Sequence, residues 1–110
     1  MDYRIEYYNE AVEEQILALP DSLAARYIVL TRRMTAVGAN LGQPHTNSFG
    51  DGLFELRLKG VDGIARVFFC TLIGRRIMML HSFIKKSQKT PLRELEVARK
   101  RMKEIKDANS

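Results

Sequence analysis

Residues 3–8 alternate Tyr3, Ile5 and Tyr7 with Arg4, Glu6 and Tyr8, the period of two that marks a short strand. Asn9 follows, a side chain suited to accept from the free N–H groups of a helix start, and Glu10, Glu13 and Glu14 suit the positive end of the helix dipole. Val12, Ile16, Leu17 and Leu19 form the apolar stripe of that helix, which Pro20 ends. Asp21 is placed to cap a second helix, whose Leu23, Tyr27, Leu30 and Met34 recur at helical spacing as far as Gly38. The pattern predicts two antiparallel helices joined by a tight turn.

From Asn40 to Gly52 the chain collects Gly42, Pro44, Asn47, Gly50 and Asp51, which reads as a loop. The period then returns to two. Leu53–Lys59 alternates Phe54, Leu56 and Leu58 with Glu55, Arg57 and Lys59, and two β-branched and aromatic runs follow at Ile64–Leu72 and Arg76–Ile84. Glycines at 60, 63 and 74 mark two hairpin turns, so the three strands form a meander. Thr90-Pro91 opens a last helix, with Thr90 as cap and Pro91 in the first turn, and Leu92, Leu95, Ala98, Met102 and Ile105 as its apolar seam. The order β-α-α-β-β-β-α predicts one α+β domain over residues 1–110, with helices packed on an antiparallel sheet.

A chain of 110 residues, 45% hydrophobic and 28% charged, is long enough to bury one core. Its longest apolar run, Val67–Ile73, is far shorter than the roughly 18 to 20 residues of a membrane-spanning helix. The first residues lack the basic start and apolar stretch of a secretory signal, which predicts a cytoplasmic protein without a membrane partner. The single cysteine, Cys70, lies inside an apolar run and reads as a small buried thiol. Charge changes the picture more than composition does. Residues 1–50 hold four arginines and six acids, whereas residues 51–110 hold fourteen Lys or Arg and seven acids. A cationic second half points to a polyanion such as RNA or DNA.

Hairpin register converts that charge into a candidate site. With an even first turn, Arg57 falls opposite Arg66; with an even second turn, Arg66 falls opposite His81, and the three form one row on one face. Glu55, Phe68 and Met79 then form the row above and Lys59, Ile64 and Phe83 the row below, with Lys85 sharing their parity beyond the strand. Like charges directly opposite on neighbouring strands cost up to about 1 kcal/mol. An anion docked on them removes that cost, and guanidinium forks match phosphate geometry. Taken singly, each residue has an ordinary reading: solvated arginines or partners of Glu55, a structural His81, a core Phe83, a solvated Lys85-Lys86 pair. His45, in the loop, has no visible partner and receives no role. Two histidines, one cysteine and no carboxylates at ligand spacing predict no metal site and no cofactor, and no phosphate loop or nucleophile triad is visible.

Three segments carry a resemblance. Gly52-Leu53-Phe54-Glu55-Leu56-Arg57, Ala65-Arg66-Val67-Phe68-Phe69, and the H-x-F-x-K-K-x-x-K-T-P stretch from His81 to Pro91 lead into an E-x-x-x-A-x-x-R helix, Glu94 to Arg101. Together they resemble the RelE/ParE superfamily of toxins from toxin–antitoxin pairs, nearest its HigB-like, phage-related branch. The resemblance implies a ribosome-dependent endoribonuclease that cuts translated mRNA and is neutralised by a cognate antitoxin, expected to be a helix-turn-helix protein. It implies catalytic roles for Arg57, Arg66, His81 and Lys85, with Glu55 as a further candidate base. Phe83, Lys59, Lys86, Lys89, Arg93 and Arg99 would contact RNA. The chemistry implied is attack of a ribose 2′-OH on the adjacent phosphate. A C-terminal tyrosine used by some relatives is missing, since no Tyr follows Tyr27. ParE-like relatives instead poison DNA gyrase, and a nucleic-acid-binding module without catalysis or a prophage remnant that binds only its antitoxin are further readings of the same fold.

Overall fold

A computed structural model describes residues 2–86 and 89–109, so the Ser87-Gln88 pair of the long motif lies outside the described residues. The elements are β1 (Arg4–Tyr7), α1 (Glu10–Leu17), α2 (Asp21–Val37), β2 (Thr46–Ser48), β3 (Phe54–Gly60), β4 (Gly63–Leu72), β5 (Arg76–Ile84) and α3 (Leu92–Ala108). Asn9 caps α1 as expected, its Oδ1 accepting from Val12 N at 2.9 Å. The other two helix starts differ. Asp21 lies inside α2, after Pro20, and the first turn is served from afar: Ser22 N donates to Asp62 Oδ2 at 3.1 Å and Asp62 N to Ser22 Oγ at 3.1 Å. Pro91, not Thr90, is the residue flanking α3, because its carbonyl already accepts from Glu94 N at 3.1 Å.

The five strands lie in the order β1-β5-β4-β3-β2. The sheet is mixed rather than wholly antiparallel: α1 and α2 carry the chain from one edge to the other, and the third meander strand returns parallel to β1. β2 corrects the reading of 40–52 as loop throughout. It pairs Thr46 with Leu56 and Asn47 with Glu55, and its three polar residues carry no strand pattern. One face packs under α1 and α2, where Val12, Ile16, Leu23, Tyr27, Leu30 and Met34 meet Leu56, Leu58, Val67, Phe69, Ile77 and Met79. The other packs under α3 through Ala98 and Met102 on Leu53, Phe68, Cys70, Met78 and Leu80. Leu17 and Leu92, expected in these seams, are exposed, each on the outer side of its helix. Cys70 is buried as expected, and burial pushes its thiol pKa up. Among the described residues no helix is long and apolar enough to cross a membrane.

Register decides the site. The first turn is even, and Arg57 pairs with Arg66 as predicted. The second is not: Leu72 pairs with Arg76 around a three-residue turn in which Gly74 and Arg75 take φ of 91° and 58°. Left alone, an odd turn would send His81 to the α1–α2 face. A bulge at Leu80 restores it, since Phe69 pairs with Met79 but Phe68 with His81. The net shift is two residues, so Arg66 faces Phe83 rather than His81, and His81 joins Glu55 and Phe68 in the next row.

Gly60, at the base of the β3–β4 hairpin, lies against α2. A Cβ there would overlap Ser22 Oγ and come within 2.8 Å of Ser22 Cβ, at the residue that pairs with Asp62. Gly60→Ala is expected to cost about 1–3 kcal/mol, read as a fall in Tm of several degrees in a thermal melt.

Candidate active site

α3 covers only part of its face of the sheet. On the uncovered part lies a cleft of about 450 Å³ lined by Arg26, Pro44, His45, Arg57, Lys59, Ile64 and Arg66. No carboxylate lines it among the described residues, so the cleft is cationic.

Arg57 and Arg66 stand side by side because Glu55 sits beneath them. The Glu55 side chain is 3% exposed and that of Arg66 10%. Glu55 Oε1 is 2.8 Å from Arg66 Nε, and Oε2 is 3.9 Å from Arg57 Nε, while Asn47 Nδ2 donates to Oε2 at 3.4 Å. The N–H of Arg66 Nε does not point at the carboxylate, which makes this an ion contact rather than a hydrogen bond. Burial lowers the Arg66 pKa and Arg57 lowers it further, with Glu55 opposing both. Arg57, one-third exposed, donates from Nη1 to Gln43 Oε1 at 2.9 Å, which ties β3 to the loop before β2.

Lys85 is brought to the neighbouring row, beside Ile64 and Lys59, by the ladder, which continues past β5: Lys85 N donates to Ile64 O at 2.8 Å. Partial burial lowers its ammonium pKa, and Arg66 and Arg57 add to the effect against Glu55. Phe83 faces Arg66 across the strands and continues a file of rings, 5.8 Å from Phe68 and 6.4 Å from His81 between centroids.

His81 is held rather than free. Its Nε2 lies 2.7 Å from Glu94 Oε2, and Nδ1 is buried with no hydrogen-bond partner among the described residues. Glu94 is a partner that the strand pattern did not reveal. The signal was in the helix motif: Glu94, Ala98 and Arg101 are spaced i, i+4, i+7 on one face of α3. Glu94 takes His81, Ala98 packs with no exposure in the α3 core, and Arg101 Nη1 donates at 2.8 Å to the Leu80 carbonyl, at the bulge. The same guanidinium lies over the Tyr8 ring at 4.9 Å. The motif therefore docks α3 onto the bulged strand.

Of the expected RNA contacts, Lys59 lines the cleft, and Lys86 and Lys89 are exposed beyond β5. Arg93 is exposed near Glu94, and Arg99 turns to Asp51 at 3.4 Å, away from the cleft. Arg26 and His45 are the cleft residues missed in the sequence. Neither has a local signal, since each is brought in by long-range packing of α2 and of the loop before β2.

The family profile described as phage derived protein Gp49-like (DUF891) matches residues 14–103. The chain belongs to this family. The match runs from α1 through most of α3, so the cleft of this Gp49-like protein lies wholly within it. No curated protein matches the chain.

Removing the charge of Glu55 leaves two guanidinium groups facing each other over a buried amide. Glu55→Gln is expected to cost about 3 kcal/mol in urea unfolding. An apolar replacement of both partners, Glu55→Leu with Arg66→Met, should recover most of that loss, because no buried charge is then left unpaired.

Proposed function

We propose that this Gp49-like protein is the toxin of a toxin–antitoxin pair and that it cleaves translated mRNA on the ribosome. The Gp49-like family is a RelE-like toxin family, which supports the toxin reading. The observation that carries the chemistry is the Arg57–Arg66 pair, set over a buried Glu55 and open to a cleft that no carboxylate lines among the described residues.

Cleavage by 2′-OH attack concentrates negative charge on the phosphoryl oxygens as the phosphorus becomes five-coordinate. Two fixed guanidinium groups stabilise that charge, and they need no reorganisation when it develops because Glu55 and the strand ladder already hold them. Glu55 is then the group that holds the arginines, its buried carboxylate in ion contact with both. Lys85, with its lowered pKa, gives a proton to the departing 5′ oxygen more readily than an ordinary lysine does. Phe83 offers a ring face to a base beside the scissile phosphate. Lys59, Lys86, Lys89 and Arg93 meet the RNA backbone as point charges. No step calls for a metal or another cofactor. A cognate antitoxin, of helix-turn-helix type in this reading, would neutralise the cleft by covering it with acidic residues or by blocking its approach to the ribosome.

Induced expression tests the proposal. The wild type should stop growth and leave cuts in translated messages, read by mapping 5′ ends. Arg57→Ala with Arg66→Ala should abolish both, since each charge-stabilising donor contributes about 10²–10³ in rate. Growth arrest without cuts, together with loss of supercoiling, would turn the proposal towards a gyrase poison.

A further inference from the structure

The reaction above needs a group to take the 2′-OH proton, and neither Glu55 nor His81 lines the cleft in which the arginines stand. Glu55 is buried between two guanidinium groups, and His81 gives Nε2 to Glu94. The cleft holds a different histidine. We infer that His45 is the general base of this Gp49-like protein, taking the 2′-OH proton of an RNA whose scissile phosphate rests on Arg57 and Arg66. The inference rests on the ribonuclease reading.

Three observations place His45 in that role. It lines the same cleft as Arg57, Lys59 and Arg66, and its imidazole makes no hydrogen bond or ion pair among the described residues. Its backbone is fixed on both sides: His45 N donates to Gly42 O at 3.0 Å, and His45 O accepts from Arg57 N at 2.8 Å. The turn behind it is locked by buried Thr46, whose hydroxyl donates to Asn40 Oδ1 at 2.7 Å and accepts from Gly42 N at 2.8 Å. The backbone that carries the imidazole is thereby anchored to Arg57 itself, the preorganisation a proton-transfer group requires.

The surroundings set its protonation. Arg26 and Arg33 face it from α2, Arg57 and Lys59 from β3 and Arg66 from β4, and no carboxylate among the described residues lines the cleft beside it. Partial burial lowers its pKa, and Arg33 and Arg26 lower it further, so the imidazole is neutral at neutral pH and free to accept a proton. As charge gathers on the phosphoryl oxygens, the potential at His45 becomes less positive, which favours the imidazolium. In the step itself the imidazole removes the 2′-OH proton, the O2′–P bond forms, the P–O5′ bond breaks, and O5′ takes a proton from Lys85. The products are a 2′,3′-cyclic phosphate and a 5′-hydroxyl, and proton exchange with solvent returns His45 and Lys85 to their starting forms.

Single-turnover cleavage of message on programmed ribosomes, followed between about pH 5 and 8, tests the role. The wild-type rate should rise with pH along an acidic limb whose midpoint lies below the ordinary histidine value. His45→Ala and His45→Gln should each lose about 100-fold or more and lack the limb, and added imidazole should restore part of the rate to His45→Ala. His81→Gln should keep the limb. A limb that persists in both His45 variants overturns the inference while leaving the ribonuclease reading intact. A wild type that makes no cuts on translating ribosomes overturns both.

Discussion

Two arginines directly opposite on neighbouring strands repel, and they stay together here because one carboxylate is buried under them. Glu55 is 2% exposed, on the strand that carries Arg57 and beside the strand that carries Arg66. A buried ion contact of this kind is not a cheap source of stability: desolvation offsets most of the attraction, and an apolar pair of similar size would serve the fold as well or better. Its effect lies elsewhere. Glu55 holds two guanidinium groups at a set place on a sheet while both line the cleft, so the cationic pair is fixed in advance of any ligand.

The rest of the site follows from how the sheet around Glu55 is bent and covered. The bulge at Leu80 makes two consecutive residues serve the same side: Leu80 joins the core under α3, and His81 reaches Glu94 on that helix. The Leu80 carbonyl is taken up by Arg101. One helix motif thus fastens α3 where it closes the core and stops short of the cationic pair. On the far side, short β2 and the turn before it lean on β3 through Arg57, which brings His45 into the cleft.

Much of this was legible along the chain, and the failures have physical causes. The stripe Leu23, Tyr27, Leu30, Met34 lies in the core because helical spacing on a buried face has few alternatives. Arg57 opposite Arg66 follows from an even turn between two glycines. Arg66 opposite His81 does not, because an odd turn and a bulge are two irregularities that cancel in parity but not in position, and neither leaves a mark in the alternation. The parallel neighbour of β5 was hidden for another reason: a strand's partner across two helices is set by the whole topology. Asp62 replacing Asp21 at the start of α2 belongs to the same class, a cap supplied from forty residues away. His45 and Arg26 were invisible as site residues because their only claim is proximity.

The central claim is that a fixed pair of guanidinium groups stabilises attack by the RNA's own 2′-OH. The most direct measurement is the chemistry of the cut ends, on a message that translating ribosomes present to the purified protein, with and without a single 2′-deoxy substitution at the cut site. The account predicts 5′-hydroxyl and 2′,3′-cyclic phosphate ends, and no cut at the deoxy position. Ends bearing 5′-phosphate, or undiminished cleavage at the deoxy position, would mean that water rather than the ribose is the nucleophile, and would contradict it.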